Sequence, residues 1–188
     1  MRLVASPPLG SSIVLYLHAS VRTPHPVTLG LFRAMHAYAD TACHGITVIA
    51  GDPATLTPAA HNISGNLIHR FARIHRTYNP GISWGGVGSL VSNNTIRDAP
   101  HAAILGGGVN YLFEHNVIER VAYEVDDAGA FYTGRSWLDR GNVVRSNEFR
   151  SIRTRVPVFL GSPSVQGLYL DDQMSDYTVV GNTFIDCQ

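Results

Sequence analysis

Residues 93–118 read NNTIRDAPHAAILGGGVNYLFEHNVI. The stretch is bracketed by two copies of one motif, NNTI at 93–96 and HNVI at 115–118: a small or polar residue, an Asn, any residue, then Ile. Outward from it the same pattern recurs as GNLI at 65–68, SNEF at 146–149 and GNTF at 181–184. The anchors Asn66, Asn94, Asn116, Asn147 and Asn182 lie 28, 22, 31 and 35 residues apart. A floor of 22 with longer variants is the signature of a solenoid coil with loops inserted on one side.

Between the asparagines runs a second ladder: GISWGG at 81–86, AAILGG at 102–107, GAFYTG at 129–134 and GLYLDD at 167–172. Stacked without gaps, it gives one column of Ile82, Ala103, Ala130 and Leu168 and another of Trp84, Leu105, Tyr132 and Leu170. Side chains alternate along a strand, so both columns share a face, expected to point inward. Ser83, Ile104, Phe131 and Tyr169 are then expected to point outward. A third strand precedes each Asn, at 89–91, 111–113, 142–144 and 177–180. Asn suits the turn because its amide can bond the equivalent Asn of the next coil.

The resulting fold class is all-β, a right-handed parallel β-helix over residues 45–188, preceded by an irregular segment, 1–44, with a short helix near 30–40. No helical stripe appears beyond residue 60, and Gly, Asn and Pro interrupt every apolar run, which excludes an α/β arrangement. The last motif is followed by four residues, so an open coil edge is expected at the carboxy-terminal end, to be covered by further coils or a partner.

Composition narrows the function. Only 15% of the 188 residues are charged, and the 14 arginines balance the 14 acids. Binding through neutralised phosphates is therefore not expected, and neither is a membrane span, since no apolar run approaches about 20 residues. Against so little charge, YEVDDAGAFYTGRSW at 123–137 is dense in chemistry: Glu124, Asp126, Asp127, Tyr132, Arg135 and Trp137. The adjacent coil supplies Tyr169, Asp171 and Asp172. Paired carboxylates serve as acid and base, or acid and nucleophile, in glycoside hydrolysis. Gly85, Gly86, Gly106 and Gly107 open a shelf beside them, with His101 at the start of the neighbouring strand. His75, Arg76 and Tyr78 precede GISWGG and line the same end. On a straight strand Asp127 and Asp171 are offset by about 20 Å, so their convergence requires a bend near Asp127.

In GDPATLTPAAHN (51–62), RTYNPGISWGGVG (76–88), NNTIRDAPHAAILGGG (93–108), DDAGAFYTGRSW (126–137) and GLYLDDQMS (167–175), the chain resembles right-handed β-helix proteins of the pectin-lyase-like superfamily. The resemblance covers about three-quarters of the chain. It implies a carbohydrate-active protein, a glycoside hydrolase with Asp127 and Asp171 or Asp172 as catalytic residues. Asp126, Tyr132, Arg135, Trp137, Tyr169 and His101 are the expected substrate-binding residues, and the expected partner is a polysaccharide or oligosaccharide. Relatives often carry an acid where this chain has Ser136, and they continue for more coils. The alternatives are a uronate lyase or epimerase, with calcium at Asp171 and Asp172, or a non-catalytic carbohydrate-binding scaffold. Hydrolysis itself calls for no cofactor. The resemblance implies export, although Pro7 and Pro8 separate Arg2 from the apolar run at 13–17, which makes a poor signal peptide.

Overall fold

The computed structural model describes residues 31–33, 37–156 and 165–188. The chain winds through coils of three short strands. Coil one holds β1 (Leu31–Arg33), β2 (Ala37–Ala39) and β3 (Ile46–Ala50). Coil two holds β4 (Asn62–Ser64), β5 (Leu67–His69) and β6 (Ile82–Val87); coil three holds β7 (Leu90–Ser92), β8 (Thr95–Ala99) and β9 (Ile104–Val109). Coil four holds β10 (Leu112–Glu114), β11 (Val117–Val121) and β12 (Ala128–Thr133). Coil five holds β13 (Asn142–Arg145), β14 (Glu148–Ile152) and β15 (Val165–Leu170), and β16 (Tyr177–Val180) and β17 (Thr183–Cys187) follow. Every third strand pairs in parallel, giving three sheets along one axis. This is the right-handed parallel β-helix, the hand that right-twisted parallel strands select.

The coils begin earlier than the sequence suggests. β1 pairs with β4 and β2 with β5, so the described part of the 30–40 stretch is strand, not helix, and the solenoid is under way before residue 45. Hydrogen bonds to the next coil outweigh the weak helical preference of so short a segment. Cys43 and Cys187 are not joined in a disulfide.

The asparagine repeat forms a buried ladder. Asn66 donates from its backbone N–H (3.0 Å) and Nδ2 (2.8 Å) to Oδ1 of Asn94, and Asn94 does the same to Asn116 at 3.0 Å each. Asn116 repeats this to Asn147, and Asn147 to Asn182. The Nδ2 groups of Asn94, Asn116, Asn147 and Asn182 also reach a carbonyl one coil back, as from Asn116 to Val91 at 2.9 Å. The tight turn is made by the residue in front: Gly65, Asn93, His115, Ser146 and Gly181 have φ between 52° and 71°. That explains why the motif opens with Gly, Asn or another polar residue, the types that tolerate the left-handed region best.

Two residues beyond each Asn, an apolar side chain turns inward. Ile68, Ile96, Ile118, Phe149 and Phe184 stack coil on coil, and Tyr38 extends the column into the first coil. Phe149 and Phe184 lie nearly parallel at 4.9 Å. In the last strands Val179, Val180, Phe184 and Ile185 are exposed.

In the third sheet the ungapped alignment slips by one residue. β6 pairs with β9 as Ile82 to Ile104, and β12 with β15 as Phe131 to Leu168. The inward column is therefore Ile46, Ile82, Ile104, Phe131 and Leu168, while Leu105 and Tyr132 face outward with Tyr169. Ile104, Phe131 and Thr133 are buried, contrary to the ungapped alignment, because a one-residue slip moves each side chain to the opposite face.

The exposed side of the second sheet is laced with ion pairs. Arg120 bonds Asp98 at 2.7 Å and Glu119 at 2.8 Å. These pairs are solvent-exposed, so Arg120→Ala is expected to cost less than about 1 kcal/mol in urea unfolding. A loss above about 2 kcal/mol would show that the network acts as a unit.

Candidate functional site

The outward register of Tyr132 and Tyr169 builds the site. Their rings stack at 5.4 Å between centroids, 26° apart. Tyr132 Oη donates to Asp171 Oδ2 at 2.8 Å, and Tyr169 Oη donates to Asp127 Oδ1 at 3.2 Å. The stacked pair thus ties one carboxyl from each of two adjacent coils to a single aromatic platform. The bend that the sequence requires is present: Asp127 is left-handed (φ 50°), and Asp126 Oδ1 holds its N–H at 3.0 Å.

Burial and then the bonded carboxylates raise both tyrosine hydroxyls above the usual phenol range, Tyr169 to about 12. Both remain protonated donors at neutral pH. Beside them lies a cavity of about 240 Å³ lined by Tyr78, Leu105, Gly106, Tyr132, Thr133, Gly134 and Arg135.

The other candidates take different places. Asp172 turns from Asp171 to Arg135 (3.3 Å), and both side chains are exposed. Its N–H is held by Asp171 Oδ1 at 2.9 Å, and its carbonyl accepts the N–H of Arg135 at 2.8 Å. Asp172 thus anchors the Arg135 wall, leaving Asp171 to face the tyrosines. Trp137 is 76% exposed beyond that wall. Arg76 does not line the cavity but pairs with Glu124 at 2.5 Å, leaving Tyr78 as the contributor from that segment. Among the described residues no cluster of three or more His, Cys, Asp or Glu side chains could hold a metal.

His101 is buried behind the cavity, 3% exposed, with its ring 5.2 Å from that of Tyr78. Its Nδ1 has no hydrogen-bond partner, and burial lowers its pKa to about 4. The imidazole is neutral at pH 7 and binds a proton more readily in the unfolded chain. Stability is therefore full above the ordinary histidine pKa near 6.5 and falls as pH drops toward 4. The expected loss is roughly 2–3 kcal/mol between pH 7 and 4, and His101→Phe should remove most of it. Unfolding midpoints across that range check this; an unchanged slope in the variant would assign the acid sensitivity elsewhere.

Sequence reasoning passes over Asp139. It is buried, accepting from Ser136 Oγ (2.8 Å), the Gly108 N–H (3.0 Å) and Tyr177 Oη (3.3 Å). It pins the 135–140 loop, and with it Arg135 and Trp137, against β9. A Cβ at Gly107 would sit 2.8 Å from its Oδ2, so this glycine makes room for a carboxylate. The Ser-x-x-Asp spacing is the one local trace of this contact. Gly86 likewise serves close packing: at φ 86°, its Cβ would lie 2.0 Å from the Ala50 carbonyl oxygen. Of the four shelf glycines, Gly85 alone has ordinary room beside it.

No protein-family model, curated protein or solved structure matches the chain. The site therefore has to be read from its own chemistry. It presents two carboxylates on adjacent coils, tied to a stacked tyrosine pair, at the mouth of a cavity with aromatic and backbone walls.

Proposed function

We propose that the chain is a carbohydrate-active β-helix protein of the pectin-lyase-like kind, exported from the cell, and that it hydrolyses glycosidic bonds with Asp127 and Asp171. The observation that carries this reading is that carboxylates from two adjacent coils are bound by the two hydroxyls of one stacked tyrosine pair. Glycosidic hydrolysis calls for two carboxyl groups flanking the scissile bond. In this reading one carboxyl protonates the leaving oxygen while the other attacks the sugar or activates water. Aromatic walls such as Tyr78 and Tyr132 suit the apolar face of a sugar ring, and glycine backbone lets the ring approach closely.

Proton abstraction next to a uronate carboxylate is less well supported. The tyrosines hold their protons more tightly than usual, Arg135 is committed to Asp172, and His101 is buried.

The test is a screen of the chain against glycosides and polysaccharides, reading new reducing ends beside unsaturated, ultraviolet-absorbing products. Reducing ends without unsaturation, lost when either Asp127 or Asp171 becomes Asn, are the expected result. Unsaturated products would replace hydrolysis by elimination. Turnover that survives both substitutions would remove the two carboxylates from the chemistry.

A further inference from the structure

We infer that the site takes neutral or cationic sugars and turns away uronates. This rests on the carbohydrate reading above and adds the charge of the substrate. The hydrogen bonds that Asp127 and Asp171 accept come from tyrosine hydroxyls and from a backbone N–H, groups that bring no positive charge. The one guanidinium lining the cavity, Arg135, is bonded to Asp172, which cancels its charge locally. His101, the nearest other titratable ring, lies buried behind Tyr78. Arg140, farther along the same loop, donates to the Leu138 carbonyl at 3.0 Å. Below the loop the buried carboxylate of Asp139 has only neutral donors. In a chain of zero net charge, this mouth carries a local surplus of negative charge.

The cavity itself points to a ligand with an uncharged face. Tyr78, Leu105 and Tyr132 present rings and methyl groups, and Gly106 and Gly134 present backbone. A sugar ring bearing only hydroxyls can pack on these walls and donate to the carboxylates. A ring bearing its own carboxylate brings like charge close to Asp171, which bonds the cavity-lining Tyr132 and lies against Gly134, and the aromatic walls weaken screening there. An amino sugar would gain from the same field.

The experiment is calorimetric titration of the whole chain with three hexasaccharides: xylohexaose (neutral), the glucosamine hexamer (cationic) and hexagalacturonate (anionic), at low and high salt. The expected result is that the neutral or the cationic hexamer binds at least about ten-fold tighter than hexagalacturonate at low salt, with a gap that narrows at high salt. Asp172→Asn, which releases Arg135, is expected to improve hexagalacturonate binding several-fold. Hexagalacturonate binding as tightly as the others, with or without added calcium, overturns the inference. Binding of none of the three overturns it too. Failure of the hydrolase reading is distinguishable. Preferential binding of a neutral hexamer without cleavage retains the charge selection and sinks hydrolysis. Hydrolytic cleavage of galacturonate does the reverse.

Discussion

Asp171→Asn is expected to lower turnover by about three orders of magnitude while leaving the fold intact, and Asp127→Asn is expected to do the same. Asn keeps the shape of Asp and can still accept the Tyr132 hydroxyl, so the 2.8 Å contact and the ring stack should survive. It can neither shuttle a proton nor act as a competent nucleophile, and losses of 10²–10⁴-fold accompany removal of such a group. Asp172→Asn is the internal control. It disturbs the exposed contact with Arg135, not the tyrosine pair, and should cost less than about ten-fold on a neutral substrate. Initial rates with purified variants, beside melting temperatures, decide it. If Asp172→Asn were as damaging as Asp171→Asn, the reacting carboxyl would be the outer member of the pair.

Asn116→Ala is expected to destabilise the chain by roughly 3–5 kcal/mol. Asn116 lies in the middle of the ladder and is buried. Its Oδ1 accepts both donors of Asn94, and its Nδ2 serves the Val91 carbonyl and Asn147 Oδ1. Alanine leaves at least two buried donors and one carbonyl of neighbouring coils unsatisfied, at about 1–3 kcal/mol each. Asn182, on the partly exposed last coil, should cost less than half as much when changed in the same way. Urea unfolding with an unchanged slope checks the comparison. A loss below about 1 kcal/mol at Asn116 would mean that the coils hold register by apolar stacking alone.

These two expectations draw on different layers of information. The ladder is legible in the linear chain because its parts are local. Asn, the left-handed residue before it and the inward Ile or Phe two places on occur within four residues, and each repeats with every coil. Any chain carrying Asn66, Asn94, Asn116, Asn147 and Asn182 in that setting has an evident way to stack them. The acids at 126–127 and 171–172 stand out for a related reason: they are the two places in the sequence where acids are adjacent.

The geometry of the site depends on contacts between segments far apart in the chain. Nothing near Tyr132 states that it faces outward. That follows from a one-residue slip between β6 and β9 and another between β12 and β15, set by how whole coils, loops included, settle over Trp84 and Phe131. Because side chains alternate with a period of two, each slip exchanges inside for outside. It places Phe131 in the core and lines up Tyr132 and Tyr169 over the cavity. Asp139 finds Gly108 and Tyr177 on neighbouring coils for the same reason. The repeat and its inward Ile and Phe follow from short-range chemistry that the chain carries on its own. The binding of Asp127 and Asp171 to one tyrosine pair, and the burial of His101 and Asp139, arise only when the coils stack, since register between coils is a property of their packing.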